Sequence, residues 1–161
     1  MINAKTDKIS ACNALDKILI DRRLPDYDSK LELLVGILQD LKVEVVRDHL
    51  EQEWGVEYLS MKIAIGGVDS LSAAVTIINQ YSGGHSAAII TEDKDEATLF
   101  MNEVDTAAVY HNVSTRFTDG GQMGLGAELA ISTDKLHHRG PLGLHHLVTN
   151  KWYVYGDGQI R

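Results

Sequence analysis

Cysteine is nearly absent from these 161 residues, with Cys12 standing alone. A single cysteine excludes a disulfide within the chain and fits a reducing compartment or a free thiol. Apolar runs are short as well. None approaches the roughly 18 residues of a membrane span, and the first residues lack the pattern of a signal peptide. Positive charge is in deficit, 15 Lys and Arg against 23 Asp and Glu, for a net charge of −8. That balance argues against a nucleic-acid surface, although a local positive pocket can still take an anionic metabolite. Repeats, low-complexity tracts and a clear internal linker are missing too. What remains is a chain long enough for one sizeable core, with a hydrophobic content of 44% that is ordinary for a globular protein. The expectation is a cytoplasmic protein that handles a small molecule, with neither a membrane nor a nucleic acid as partner.

What is present is an alternation of strand and helix signals. Ile18 to Ile20 reads as a short strand. Asp28 to Leu41 has Leu31, Leu34, Val35 and Leu38 on one face and reads as a helix entered through Pro25 and Asp26. Val43 to Val46 is a brief strand, and Glu51 to Trp54 is compatible with a helix. Ser60 to Ile65 is the next strand, after which Asp69 or Ser70 caps a helix running through Ile78. The SGGH sequence breaks that helix. A strand at Ala87 to Thr91, a helix at Asp93 to Val104 and a strand at Ala107 to Tyr110 continue the rhythm. The fold class is therefore α/β, a mostly parallel sheet flanked by helices.

Two segments stand out from this rhythm. Tyr110 to Ser132, YHNVSTRFTDGGQMGLGAELAIS, places Asn112, Ser114, Thr115 and Arg116 after a strand and ahead of a glycine-spaced loop. The ends of strands in open α/β sheets hold ligands, and an arginine fork suits a carboxylate or phosphate. An ordinary surface loop is the alternative. Cys12, in NAKTDKISACNALDKILI, follows small polar residues and precedes an apolar run, so it sits at an element boundary. A nucleophilic cysteine must be accessible, near backbone N–H groups, and able to form thiolate below its reference pKa of about 8.5. Most free cysteines are buried and inert, and that reading stands beside the first.

Together, NAKT, ACNAL, VEYLSMKIAI, VDSLSAAVTIINQYSGGHS, VYHNVSTRFTDGG, GLGAELAIS, RGPLGL and GDGQIR resemble the gamma-glutamyl phosphate reductases, or glutamate-5-semialdehyde dehydrogenases, of the aldehyde dehydrogenase superfamily. The likeness runs in order to Arg161 and matches only the later portion of that family. It implies an aldehyde dehydrogenase-like catalytic domain over residues 1–146 and a C-terminal oligomerisation strand over 147–161 that meets a second subunit in a homodimer. It also implies NADPH-dependent reduction of L-glutamyl 5-phosphate, through a Cys12 thioester, in proline biosynthesis. Glu57, opening EYL, aligns with the glutamate that holds the nicotinamide ribose. Asn112, Ser114, Thr115, Arg116 and Phe117 are the implied substrate-binding residues. Asn112 fits a loop-fixing role better, and Phe117 is either a pocket wall or plain core.

The chain departs from the family pattern at Ile77, where a histidine is usual, at Gly83, usually a hydroxyl residue, and at Ala87, usually acidic. His85 and Ser86 are retained, and His85 reads as structural. Four histidines in HHRGPLGLHH (His137, His138, His145, His146) raise the question of zinc. Adjacent pairs converge poorly on one centre and no cysteine completes the set, so no metal is expected. Gly121 to Gly126 is a weak dinucleotide fingerprint, following a loop and opening no helix. Leu147 to Tyr155 is β-prone and aromatic, an edge that pairs either with a second subunit or within its own sheet. Without the family's earlier region the isolated chain is expected to show no NADPH-dependent turnover. A non-catalytic dimerisation or ligand-binding module that keeps the fold is the alternative function.

Overall fold

Leu31, Val35 and Leu38 recur at helical spacing, and burying that face against the strand residues Ile18, Ile63 and Ile65 forms the larger core. The computed structural model describes residues 1–47, 50–133, 135 and 137–161. In chain order, α1 (Ile2–Thr6) leads by a loop to β1 (Lys17–Asp21), α2 (Tyr27–Asp40), β2 (Glu44–Val46), α3 (Leu50–Glu53) and β3 (Lys62–Val68). Next come α4 (Leu71–Tyr81), β4 (Ser86–Ile89), α5 (Lys94–Glu103) and β5 (Ala108–His111). A 3-10 turn at Thr115–Phe117, strands β6 (Leu129–Ile131) and β7 (Gly140–Leu142), and a second 3-10 turn at Leu144–His146 follow.

β3 lies between β1 and β2 and runs parallel to both, while β4 pairs parallel with β5. Parallel strands of one sheet need a crossover; α2 supplies it from β1 to β2, on either side of β3, and α5 from β4 to its neighbour β5. The expected mostly parallel α/β arrangement is what forms. A second, smaller core of Ala87, Phe100 and Val104 gathers Leu71, Val75, Ile78, Ile89 and Val109 around it. Ala87 is thus core.

Capping sets where the helices start. Ser70 rather than Asp69 caps α4, its Oγ accepting from the Ala73 N–H at 3.1 Å. Asp93 caps α5 by accepting from the N–H groups of Asp95 and Glu96. Asp26 occupies the N-cap of α2 as expected, but in the left-handed region at φ 56° and without a side-chain cap bond.

Three features differ from the sequence expectations. α1 and the antiparallel pair β6–β7 were not anticipated, each being too short for its period to stand out. The expected strand at Leu147 to Tyr155 does not form. Its β-prone residues find no partner edge among the described residues, and Trp152, Val154 and Tyr155 are 87%, 87% and 91% exposed. Pairing within its own sheet is therefore not its role in this structure. Among the described residues, no helix is long and apolar enough to cross a membrane.

Candidate active site

The loop that carries Cys12 is closed at its base and docked along its side. Leu15 N–H donates to the Ala4 carbonyl at 2.8 Å, and Ala14 N–H donates to Ala11, bending the chain tightly around Cys12. The fully buried Lys5 reaches Asp16 at 3.1 Å across the same base. Five side-chain hydrogen bonds then tie this segment to the turn after β5, about a hundred residues away in sequence. Ser114 Oγ donates to Asn3 Oδ1 at 2.8 Å, and Thr115 Oγ1 donates to the Asn13 carbonyl at 2.7 Å. Asn13 Nδ2 donates to the Thr118 carbonyl at 2.8 Å. Arg116 donates through Nε to Asp7 at 2.9 Å and through Nη1 to Asn13 Oδ1. Asn13, Thr115 and Thr118 are buried, so the Asn13–Thr118 and Thr115–Asn13 bonds are shielded from water, while the Ser114–Asn3 and Arg116–Asp7 bonds lie at the surface. The two segments singled out in the sequence are one structural unit.

Cys12 is exposed, as a nucleophile must be. Its thiol nevertheless sits above its ordinary pKa. Burial of the sulfur by its surroundings is the main cause, followed by the Glu128 charge. Hydrogen bonding from the N–H groups of Cys12 and Asn13 pulls the other way, and the Glu57 charge adds a further push upward. The expected easy thiolate is therefore not met by this chain's own groups, since two carboxylates oppose it. Iodoacetamide alkylation of Cys12 is expected to titrate above the roughly 8.5 of a free thiol. Glu128→Gln lowers that midpoint, because a neutral amide no longer opposes the thiolate. A midpoint at or below the free-thiol value rejects this account.

Behind the docked turn runs a buried polar relay. Thr118, 1% exposed, shares its hydroxyl with Ser86 Oγ at 2.7 Å and the Tyr110 hydroxyl at 2.9 Å. Ser86 Oγ meets His85 Nδ1 at 2.8 Å, while His85 Nε2 is buried with no hydrogen-bond partner among the described residues. Burial holds the His85 pKa below its ordinary value, against the pull of Glu128 and Glu57, so the neutral ring is favoured. These contacts make His85 part of the wall that supports the Arg116 turn.

No protein-family profile matches the chain. It is 46% identical to the gamma-glutamyl phosphate reductase of Dictyoglomus thermophilum over 176 aligned residues, which cover 100% of this chain and 41% of that protein. Its structure superposes on the crystal structure of the Thermotoga maritima gamma-glutamyl phosphate reductase with a TM-score of 0.89 and 42% identity, over 99% of this chain and 41% of that one. The chain belongs to the gamma-glutamyl phosphate reductase family. It spans 41% of the length of these relatives. An acetylating aldehyde dehydrogenase from Geobacillus thermoglucosidasius, 14% identical, shares the fold alone, with a TM-score of 0.69 over 99% of this chain and 47% of that one. The architecture is that of the aldehyde dehydrogenases.

Within this gamma-glutamyl phosphate reductase fold, the residues singled out by sequence divide into those that meet and those that do not. Cys12, Ser114, Thr115 and Arg116 are brought together, and the charge of the exposed Glu57 reaches the thiol. Arg116 spends Nε and Nη1 on Asp7 and Asn13, leaving Nη2 outside those two bonds. Asn112, at φ 56°, fixes the loop instead, its side chain accepting from Thr91 N–H at 3.0 Å and donating to the Thr91 carbonyl at 2.8 Å. Phe117 is 51% exposed and so is not core.

Sequence reasoning missed Asn13, Thr118, Glu128 and Asp16. Asn13 and Thr118 lie in segments without hydrophobic period, and only adjacency to Cys12 and Arg116 marks them. The four histidines gather elsewhere. His137, His138 and His146 line an apolar cleft of about 240 Å³ with Leu129, Ile131, Leu142 and Leu147. Among the described residues, no group of histidine, cysteine or carboxylate side chains is arranged to hold a metal ion.

Proposed function

We propose that this chain carries the acyl-transfer part of a gamma-glutamyl phosphate reductase, acting on L-glutamyl 5-phosphate in proline biosynthesis. The observation that carries the reading is the docking of the Cys12 loop on the Arg116 turn, five hydrogen bonds that fasten the loop bearing an exposed thiol to the turn bearing a guanidinium. In the proposed step the thiol proton leaves to solvent, and Cys12 Sγ attacks the acyl carbon. The carbon–oxygen bond to phosphate breaks, phosphate departs with its electron pair, and a thioester remains on Cys12. The N–H groups of Cys12 and Asn13, which favour the thiolate, are the donors this chain offers where negative charge develops. Arg116, through Nη2, is assigned to the substrate's anionic groups, with Ser114 and Thr115 holding its turn in place. Phe117 is assigned to the pocket rim.

Glu57 fits a ribose contact, being an exposed, acceptor-only carboxylate whose charge is felt at the thiol. NADPH, when bound, supplies hydride for reduction of the acyl group to the aldehyde. The exposed aromatic segment Trp152 to Tyr155 is assigned to strand pairing with a second copy in a homodimer. A lone exposed thiol suits the cytoplasm.

Acetyl phosphate tests the first step. Selective acylation of Cys12, seen by intact mass and reversed by hydroxylamine, is expected in this chain and absent in Cys12→Ser. Acylation no faster than that of free cysteine favours the second reading, a non-catalytic module that keeps the fold. The raised thiol pKa is the observation that favours that alternative.

A further inference from the structure

Glu57 lies in a stretch without helix or strand, residues 54–61 between α3 and β3, so no ladder of backbone hydrogen bonds sets its place. Its two neighbours are nevertheless gripped from one side. Asp16 Oδ2 accepts from the Tyr58 N–H at 2.8 Å, and Lys17 Nζ donates to the Val56 carbonyl at 2.5 Å. Lys17 also lies 3.9 Å over the Tyr58 ring, whose hydroxyl donates to Glu53 at 2.6 Å. The other oxygen of Asp16 holds Lys5 at the base of the Cys12 loop. Asp16 is itself pinned to the sheet, its carbonyl accepting from Ala64 N–H at 3.0 Å.

We propose that Asp16 and Lys17 form a clamp that registers the Glu57 carboxylate on the Cys12 loop, making both of them positioning residues for the site. The inference rests on the reading of Cys12 and Glu57 as site residues. Two adjacent side chains, at the junction of the nucleophile's loop and β1, seize the peptide groups on either side of Glu57. A shift of the loop is thereby passed to the carboxylate, and the spacing of thiol and carboxylate is held from one rigid strand. Groups that must meet a substrate and a cofactor together need that kind of support, since a displacement of about 1 Å is enough to spoil them. The influence of Glu57 on the Cys12 thiol fits a carboxylate kept within electrostatic reach.

A mutant cycle read by the iodoacetamide rate of Cys12, at low ionic strength and a pH below its midpoint, tests the clamp. In the unaltered chain Glu57→Gln is expected to speed alkylation by about twofold, the order set by one surface charge in high dielectric. In a Lys17→Met background the same change is expected to have no effect on the rate, and Lys17→Arg, which keeps a donor, restores it. Lys5→Met combined with Asp16→Ala opens the other half of the clamp without leaving a lone buried ammonium, and is expected to behave like Lys17→Met. Circular dichroism confirms that each background is folded. A twofold effect that persists in every background overturns the clamp, because destabilisation alone would leave it untouched. No effect of Glu57→Gln in the unaltered chain also overturns it, by placing Glu57 out of reach of the thiol. Failure of Cys12 to take an acyl group while the cycle shows coupling sinks the proposed reaction and leaves the clamp standing.

Discussion

Asp16→Ala is expected to cost this fold about 3–5 kcal/mol, the range seen when one partner of a buried ion pair is removed. The Lys5 side chain is 0% exposed and the Asp16 carboxylate, 18% exposed, stands 3.1 Å from its ammonium. Without that carboxylate the ammonium keeps its burial cost and loses its compensation. The same change releases Tyr58 N–H and opens one hand of the clamp. Urea unfolding followed by fluorescence of the two tryptophans measures the loss. Adding Lys5→Met is expected to recover most of it, because an apolar side chain of similar length suits the site left by Lys5. A single-variant loss under about 1 kcal/mol, on the scale of a surface pair, would mean that Lys5 reaches water and that the loop base is not built on a buried charge.

Asn13→Ala is the second large effect, expected at about 2–3 kcal/mol with a local consequence at Cys12. Asn13 is 5% exposed and faces two ways, donating to the Thr118 carbonyl and accepting from Arg116. Alanine leaves the Thr118 carbonyl without that donor in a residue that is 1% exposed, and frees one bond of the guanidinium. The loop should open before the whole fold does, so amide exchange at Ala14 and Leu15 is expected to quicken by more than exchange in β3. Equal acceleration at both places would reject the view that Asn13 pins the loop.

The elements of this fold were legible where period and packing agree. Leu31, Val35 and Leu38 recur on one helical face and are all buried, so α2 was found nearly to its ends. The start of α4 was open between Asp69 and Ser70, because both residue types cap helices and only backbone geometry separates them. The three-residue strands β6 and β7 show too little alternation to be recognised beside their glycines. Leu147 to Tyr155 shows the opposite error. Its residue types favour a strand, but a strand exists only where another edge accepts its hydrogen bonds, and none of the described residues does.

For the site the division is similar. The order of residues alone determined the family, the α/β rhythm, the single free thiol and the candidate pair of Cys12 and Arg116, because motifs and periods are properties of residue order. Only the tertiary structure decided what those residues do with their polar groups. It joined Arg116 to Asp7 and Asn13, set Asn112 aside at Thr91, and tied Val56 and Tyr58, on either side of Glu57, to Lys17 and Asp16. It also closed surroundings partly over the sulfur and placed Glu128 and Glu57 where their charges act on the thiol, so that Cys12 is exposed yet harder to ionise. Hydrogen bonds and Coulomb forces act through a few ångströms of space. Which groups lie within that distance is settled by how distant segments pack.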